Sequence, residues 1–317
     1  MKAIEIEQFG GPEVLRLVDL PTPQVRPGHT LIEVSRAGVN YADTHQAENT
    51  YLTPAELPLI PGGEVVGRAA DGRRVVALLA AGGYAQFAVA REDLAFELPD
   101  SISDGQALAL VLQGVTAWHL LRTSARLAQG ETVVVHAGAG GVGSLAVQLA
   151  LKFGAGRVIA TASSPAKRDL AVELGAHAAI DADEENLRDR LIEANGGRPV
   201  DVVLEMTGGE VFDQSLRALA PFGRLVCYGQ AGRTAPTPID PTRLMAASRA
   251  VVGFWLGHLY RKPALIGGPL AELVELTEAG ALRPVIGGEY PISEARKAHE
   301  DIRARRTTGK LLLDPAR

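Results

Sequence analysis

The residues best placed to do chemistry are three glycines, Gly138, Gly140 and Gly143, in the stretch VVVHAGAGGVGSLAVQLALKFG. Their G-x-G-x-x-G spacing lets a backbone turn tightly, approach a pyrophosphate, and bring a helix close to a sheet. Glycine supplies 35 of the 317 residues, so the pattern alone is weak and its setting must carry it. Val133, Val134 and Val135 form the β-branched run of a buried parallel strand, and apolar residues recur at helical period from Ser144. A strand that feeds a helix through such a turn aims the N–H groups and positive dipole end of the helix at phosphate. The alternative is a glycine-rich turn with no ligand. About 20 residues further on, where a carboxylate would bind a ribose 2′-hydroxyl, the chain reads ATASSPAKR. No acid there would repel a 2′-phosphate, and Lys167 and Arg168 are cations nearby, unless they are simply a solvated helix face.

The elements that must position this turn fall into two patterns. Up to about Leu98 the chain reads as short strands punctuated by Pro and Gly, which predicts a mostly β domain. Ser103 to Leu110 and Gly114 to Leu121 look helical and lead into the glycine motif. Beyond it strands and helices alternate: strands over 158–161, 178–180, 201–204, 225–228 and 249–256, helices over 165–174, 187–194 and 211–219. That alternation predicts an α/β fold with a doubly wound parallel sheet, its ligand crevice at the carboxyl ends of the strands. A helix over 269–279, a helix over 294–305 capped by Ser293, and a strand over 311–313 complete the reading.

Composition narrows the function classes. At 46% hydrophobic and 22% charged residues the chain is ordinary globular protein, long enough for about two cores. A net charge of −5 gives no electrostatic reason to expect nucleic acid or an acidic membrane. No apolar run is long enough to span a bilayer and MKAIEIEQFG is no signal peptide, so the expected compartment is the cytoplasm. Cys227, the one cysteine, excludes an intramolecular disulfide and any multi-cysteine zinc site, and LVCY reads as buried strand. His136, at the end of the valine run, reads as structural.

Read together, AGVNYADTHQ from Ala37, PLIPGGEVVG from Pro58, GGYAQFAVA from Gly82, LQGVTAWHLL from Leu112, the glycine stretch, APFGRLVCYG from Ala220 and PVIGGEYPISEARKAHE from Pro284 resemble the zinc-free quinone oxidoreductase, or zeta-crystallin-like, group of medium-chain dehydrogenases/reductases. The resemblance covers essentially the whole chain. It implies a GroES-like β domain over 1–110, completed by 283–317, and a Rossmann domain over 111–282 that binds NADPH. Zinc-dependent relatives carry Cys where this chain has Asn40 and His-Glu where it has Gly63-Glu64. Without that Lewis acid an alcohol is not activated, whereas hydride delivery to an electron-poor quinone or α,β-unsaturated carbonyl needs no metal.

The resemblance assigns site residues one at a time. Gln113 and Thr116 match the segment beside the nicotinamide ribose, and Gly138, Gly140, Gly141, Val142 and Gly143 match the pyrophosphate turn. Ser163 and Lys167 match contacts to the 2′-phosphate, with Arg168 as a second cation. Tyr228, Gly229, Phe254, Trp255 and Arg305 match further positions near the cofactor, while Ala182 stands where relatives often stack an aromatic residue or His on adenine. Asn40, His45 and Tyr51 match the lining of the substrate cleft and are the catalytic candidates, although His45 and Tyr51 also fit a mobile surface loop. The expected protein is an NADPH-dependent reductase of quinones or enones; the alternative is an NADPH-binding structural or sensing protein with little turnover. The apolar stretch AVVGFWLG from Ala250 is the candidate edge strand for a homodimer.

Overall fold

The structure, a computed structural model, describes residues 1–182 and 185–317. Its first half runs β1 (Lys2–Glu5), β2 (Arg16–Asp19), β3 (His29–Val39), α1 (Tyr41–Ala47), β4 (Glu64–Ala69), β5 (Arg74–Leu78), β6 (Phe87–Arg91), β7 (Ala95–Glu97), α2 (Asp104–Leu108) and α3 (Val115–His119). Then follow β8 (Thr132–Val135), α4 (Gly141–Lys152), β9 (Arg157–Ala162), α5 (Pro165–Glu173), β10 (Ala178–Asp181), α6 (Leu187–Ala194), β11 (Val200–Glu205), α7 (Gly209–Ala218) and β12 (Leu219–Cys227). The chain ends with α8 (Pro241–Ala247), β13 (Ala250–Gly253), α9 (Ala264–Glu278), β14 (Ile286–Pro291), α10 (Ala295–Arg303) and β15 (Lys310–Asp314). Ala109–Gly114 and Leu120–Ser124, flanking α3, are wound as π-helix.

Two compact units result, residues 1–115 with 259–317, and residues 116–258. α9 belongs to the first unit: Leu273 packs so closely on Gly114 that a Cβ there would lie 3.0 Å from its Cδ1.

In the first unit a seven-stranded sheet runs β14-β15-β3-β4-β5-β7, with β6 also paired to β3. The pairings are antiparallel except β14 with β15. The long β3 is the hub, and Gly67 on β4 is needed because a Cβ there would stand 2.0 Å from the Glu33 carbonyl oxygen. Ile32, Val34, Val65, Val75, Tyr84 and Leu313 are among the residues of its core.

In the second unit six parallel strands run β10-β9-β8-β11-β12-β13. The order reverses between β8 and β11, which is the point where a doubly wound sheet opens a crevice at the strands' carboxyl ends. Val133, Val134 and Val135 are fully buried, as a central strand covered on both faces requires. The fold is therefore α/β, a Rossmann-like sheet with a separate GroES-like β domain.

Local differences from the sequence reading have local causes. α9 begins at Ala264, so Pro269 lies inside it rather than at its start. Ser293 caps nothing: Ile292–Glu294 forms a 3-10 turn, and α10 starts at Ala295. The strand expected over 249–256 stops at Gly253, because Leu256–Arg261 winds into 3-10 helix. Cys227, expected in the core, is only half-buried at the end of β12.

Candidate functional site

In the second unit the site is built around the end of β8. His136 locks that end: Nδ1 lies 3.0 Å from Thr161 Oγ1 on β9, and Nε2 lies 2.8 Å from Ser215 Oγ on α7. Burial lowers the imidazole pKa to about 4, so the ring is neutral and structural, as its place in the sequence suggests. The chain then turns through Ala137, at φ +52°, and closes with Gly138 N–H donating to the Thr161 carbonyl and Gly140 N–H to that of Ala137. A Cβ at Gly138 would meet Ala160 Cβ at 2.7 Å, and one at Gly143 would stand 2.1 Å from the Ala137 oxygen. Both glycines are thus dictated by close approach. Gly140 is the N-cap of α4 with no side-chain cap, and Gly141, Val142 and Gly143 form its first turn, where N–H groups lack intrahelical acceptors.

Apart from Thr116, the other predicted cofactor positions of this unit follow the carboxyl ends of parallel strands. Exposed Ser163 follows β9, and Ser164 caps α5 by accepting the Lys167 N–H at 3.4 Å. Lys167 is half-buried in that first turn. Arg168 bonds the Ala162 carbonyl at 3.1 Å and Asp181 Oδ2 at 2.6 Å. Asp181 escaped the sequence reading because it comes from the next strand, in register with Ala162. Tyr228 and Gly229 follow β12, with Tyr228 N–H donating to the Glu205 carbonyl at 3.0 Å. Burial raises the Glu205 carboxyl, although it accepts the Thr207 and Gly208 N–H groups at 2.6 and 3.0 Å. Phe254 follows β13 and stacks on His119, ring centroids 5.7 Å apart, while Trp255 meets His258 edge-on. Thr116 is buried on α3.

Gln113 and Arg305 belong to the first unit. Arg305 is exposed just after α10, at φ +55°. Gln113 instead joins a buried polar network. The pairing of Leu311 with Val39 brings Lys310, the first residue of β15, beside Asn40. Lys310 Nζ donates to Glu64 Oε1 and, at 3.1 Å, to Asn40 Oδ1. Asn40 Nδ2 donates to Glu64 Oε1 at 2.7 Å, and Gln113 Nε2 to Asn40 Oδ1 at 3.2 Å. Lys310 and Glu64 have side chains with no exposure at all.

Beside this network lies α1, a helix the sequence reading did not anticipate. Asn40 caps it, and Asp43 Oδ2 accepts the Asn40 N–H at 2.8 Å. Tyr84 OH donates to the same carboxylate at 2.8 Å and lies 3.1 Å from His299 Nε2. Burial pushes Asp43 up to about 6, against the pull of the Asn40 N–H, Tyr84 and Lys310, and lowers His299 to about 3. His45 is buried on α1 with Nδ1 2.9 Å from Thr50 Oγ1, rather than on a surface loop; Tyr51 is half-buried after the helix. Asn40 commits its amide to three protein groups, so what it can supply is position. Lys310, Tyr84, Asp43 and His299, like Asp181, are residues that sequence reasoning missed.

Residues 26–100 match the family described as alcohol dehydrogenase GroES-like domain, and residues 141–267 the one described as zinc-binding dehydrogenase. The latter name implies zinc, but the donor set here does not fit it. Where zinc-dependent relatives have Cys and His-Glu, this chain has an amide, a glycine and a carboxylate already held by an ammonium. No group of three His, Cys, Asp or Glu suited to a metal occurs among the described residues. The chain is 35% identical to mouse quinone oxidoreductase over 99% of its own length and 97% of the relative's. The solved quinone oxidoreductase of Thermus thermophilus shares 39% identity, with a TM-score of 0.87 and coverage of 99% of this chain and 100% of that one. That of Escherichia coli, complexed with NADPH, shares 31% identity, with a TM-score of 0.93 and the same coverage. Those identities over the full length, on the two-domain fold described, mean that this chain belongs to the quinone oxidoreductase family of medium-chain dehydrogenases/reductases.

Proposed function

We propose that this protein is an NADPH-dependent reductase that acts on a quinone or an α,β-unsaturated carbonyl without a metal. The observation that carries the proposal is the end of β9. It offers Ser163 and Lys167 beside a helix N-terminus, and the Asp181 carboxylate on the neighbouring strand is paired with Arg168. A hydroxyl and an ammonium at a helix N-terminus are donors that suit a 2′-phosphate. NADPH complexes of family members, including those from Thermus thermophilus and Escherichia coli, support the same cofactor.

Gly138, Gly140, Gly141, Val142 and Gly143 would hold the pyrophosphate, and Ser163, Lys167 and Arg168 the 2′-phosphate. Gln113, Thr116, Tyr228, Gly229, Phe254, Trp255 and Arg305 would complete the cofactor contacts. Gln113 fits that role: its Oε1 is buried with no hydrogen-bond partner among the described residues, an acceptor that a ligand hydroxyl would satisfy. Bound NADPH supplies a hydride. The protein contributes position and exclusion of water, and His45, Tyr51 or water returns the proton that balances the reduction. Electron-poor acceptors need no Lewis acid, which agrees with a Glu64 carboxylate committed to Lys310.

Steady NADPH oxidation by a panel of ortho-quinones, para-quinones and enones, undiminished after exhaustive chelation, is the expected result. Tight NADPH binding without turnover would favour a structural or sensing role. Loss of activity on chelation with recovery on adding zinc would refute the metal-free reaction.

A further inference from the structure

We propose that the Lys310–Glu64 pair sets the polarity of the neighbouring amides, so that Gln113 presents a carbonyl oxygen to its ligand and recognises a hydroxyl donor, such as that of a sugar. The inference rests on the reading of Gln113 as a cofactor contact, and goes beyond it by naming what fixes the orientation.

A side-chain amide has a donor end and an acceptor end of nearly equal size, so its direction is decided by its partners. Lys310 can only donate, and an ionised Glu64 can only accept. Asn40 lies between them, with Oδ1 on the Lys310 ammonium and Nδ2 on Glu64 Oε1. Reversed, it would face ammonium with NH2 and carboxylate with oxygen. Its Oδ1 is thereby fixed toward Gln113 as an acceptor, and Gln113 answers with Nε2. The remaining end of Gln113 is therefore Oε1. That atom is buried and has no hydrogen-bond partner among the described residues. Neither charge is exposed to bulk solvent, and in such surroundings a hydrogen bond to a charged group is strengthened.

The test is a double-mutant cycle on NADPH affinity, read by cofactor fluorescence with thermal stability measured in parallel. Gln113→Met removes the acceptor and should weaken binding about three- to tenfold, the worth of one neutral hydrogen bond. Glu64→Gln with Lys310→Gln removes both charges together, so no uncompensated buried charge remains. This pair should weaken NADPH binding by at least about twofold, as Gln113 loses its fixed direction, and should add nothing further in the Gln113→Met background. Undiminished affinity in the neutral pair, or an equal loss with Met at 113, would overturn the proposal. Unchanged affinity in Gln113→Met alone would instead overturn the cofactor reading of Gln113. Neutron diffraction from wild-type crystals tests the orientation even if the variants fail to fold. Deuterons are expected on Asn40 Nδ2 toward Glu64 and on Gln113 Nε2 toward Asn40, and the reverse placement would refute the relay.

Discussion

Replacing Lys167 with Ala should weaken NADPH binding far more than NADH binding. The 2′-phosphate is the only covalent difference between the two cofactors, and a lysine beside it supplies a charge-assisted hydrogen bond. Such a bond contributes about 1.5–3 kcal/mol, so the NADPH-to-NADH affinity ratio should fall by roughly one to two powers of ten. The structure limits how far Arg168 can compensate, since its guanidinium is held by Asp181 at 2.6 Å and by the Ala162 carbonyl. A second substitution isolates that restraint. Asp181→Asn removes the carboxylate from the partly exposed pair, which is worth about 0.2–1 kcal/mol, and should raise NADPH preference by a factor of up to about five. In the Lys167→Ala background it should restore part of the lost selectivity, because Arg168 can then turn to the phosphate. Both cofactors are titrated into each variant at one fixed salt concentration. Equal weakening for NADPH and NADH in Lys167→Ala would mean that the lysine supports the fold or the shared pyrophosphate, and the selectivity argument would fail.

Three further outcomes are expected. His136, lowered from 6.5 to about 4 by burial, is neutral when folded but takes a proton when unfolded below pH 6.5. Its contribution of about 3 kcal/mol is therefore present above pH 6.5 and lost as pH falls to 4, and His136→Asn should flatten that part of a urea-denaturation pH profile. His299 acts in the same direction, and Asp43, raised to about 6, in the opposite one, so an unchanged slope in His136→Asn would refute the assignment. Gly143→Ala should lower the melting temperature more than Gly140→Ala, because its Cβ would stand 2.1 Å rather than 3.1 Å from the Ala137 oxygen. β13 lies at the end of the parallel sheet, and a homodimer formed through it should give twice the 33.4 kDa chain mass by light scattering at micromolar concentration; a monomeric mass would refute it.

What the sequence revealed of the fold, and what it hid, follows from the range of the interactions involved. The valine run, the glycine turn and the βα alternation are local patterns, and the strands and helices of the Rossmann-like sheet appear close to where periodicity put them. α1 was invisible to that method because its buried side chains include Asp43, Thr44 and His45, which leave no apolar stripe. A local signal did exist: Asn40 followed three residues later by Asp43 is the spacing of a capping box. Asp181 and Lys310 had no such signal. Asp181 reaches the carboxyl end of β9 by strand register, and Lys310 lies just outside the final strand expected over 311–313. Its partner Glu64 is 246 positions away. The glycine turn can be read from one stretch because its chemistry is that of a backbone, whereas the direction in which Gln113 faces depends on an ion pair that only the folded sheet assembles.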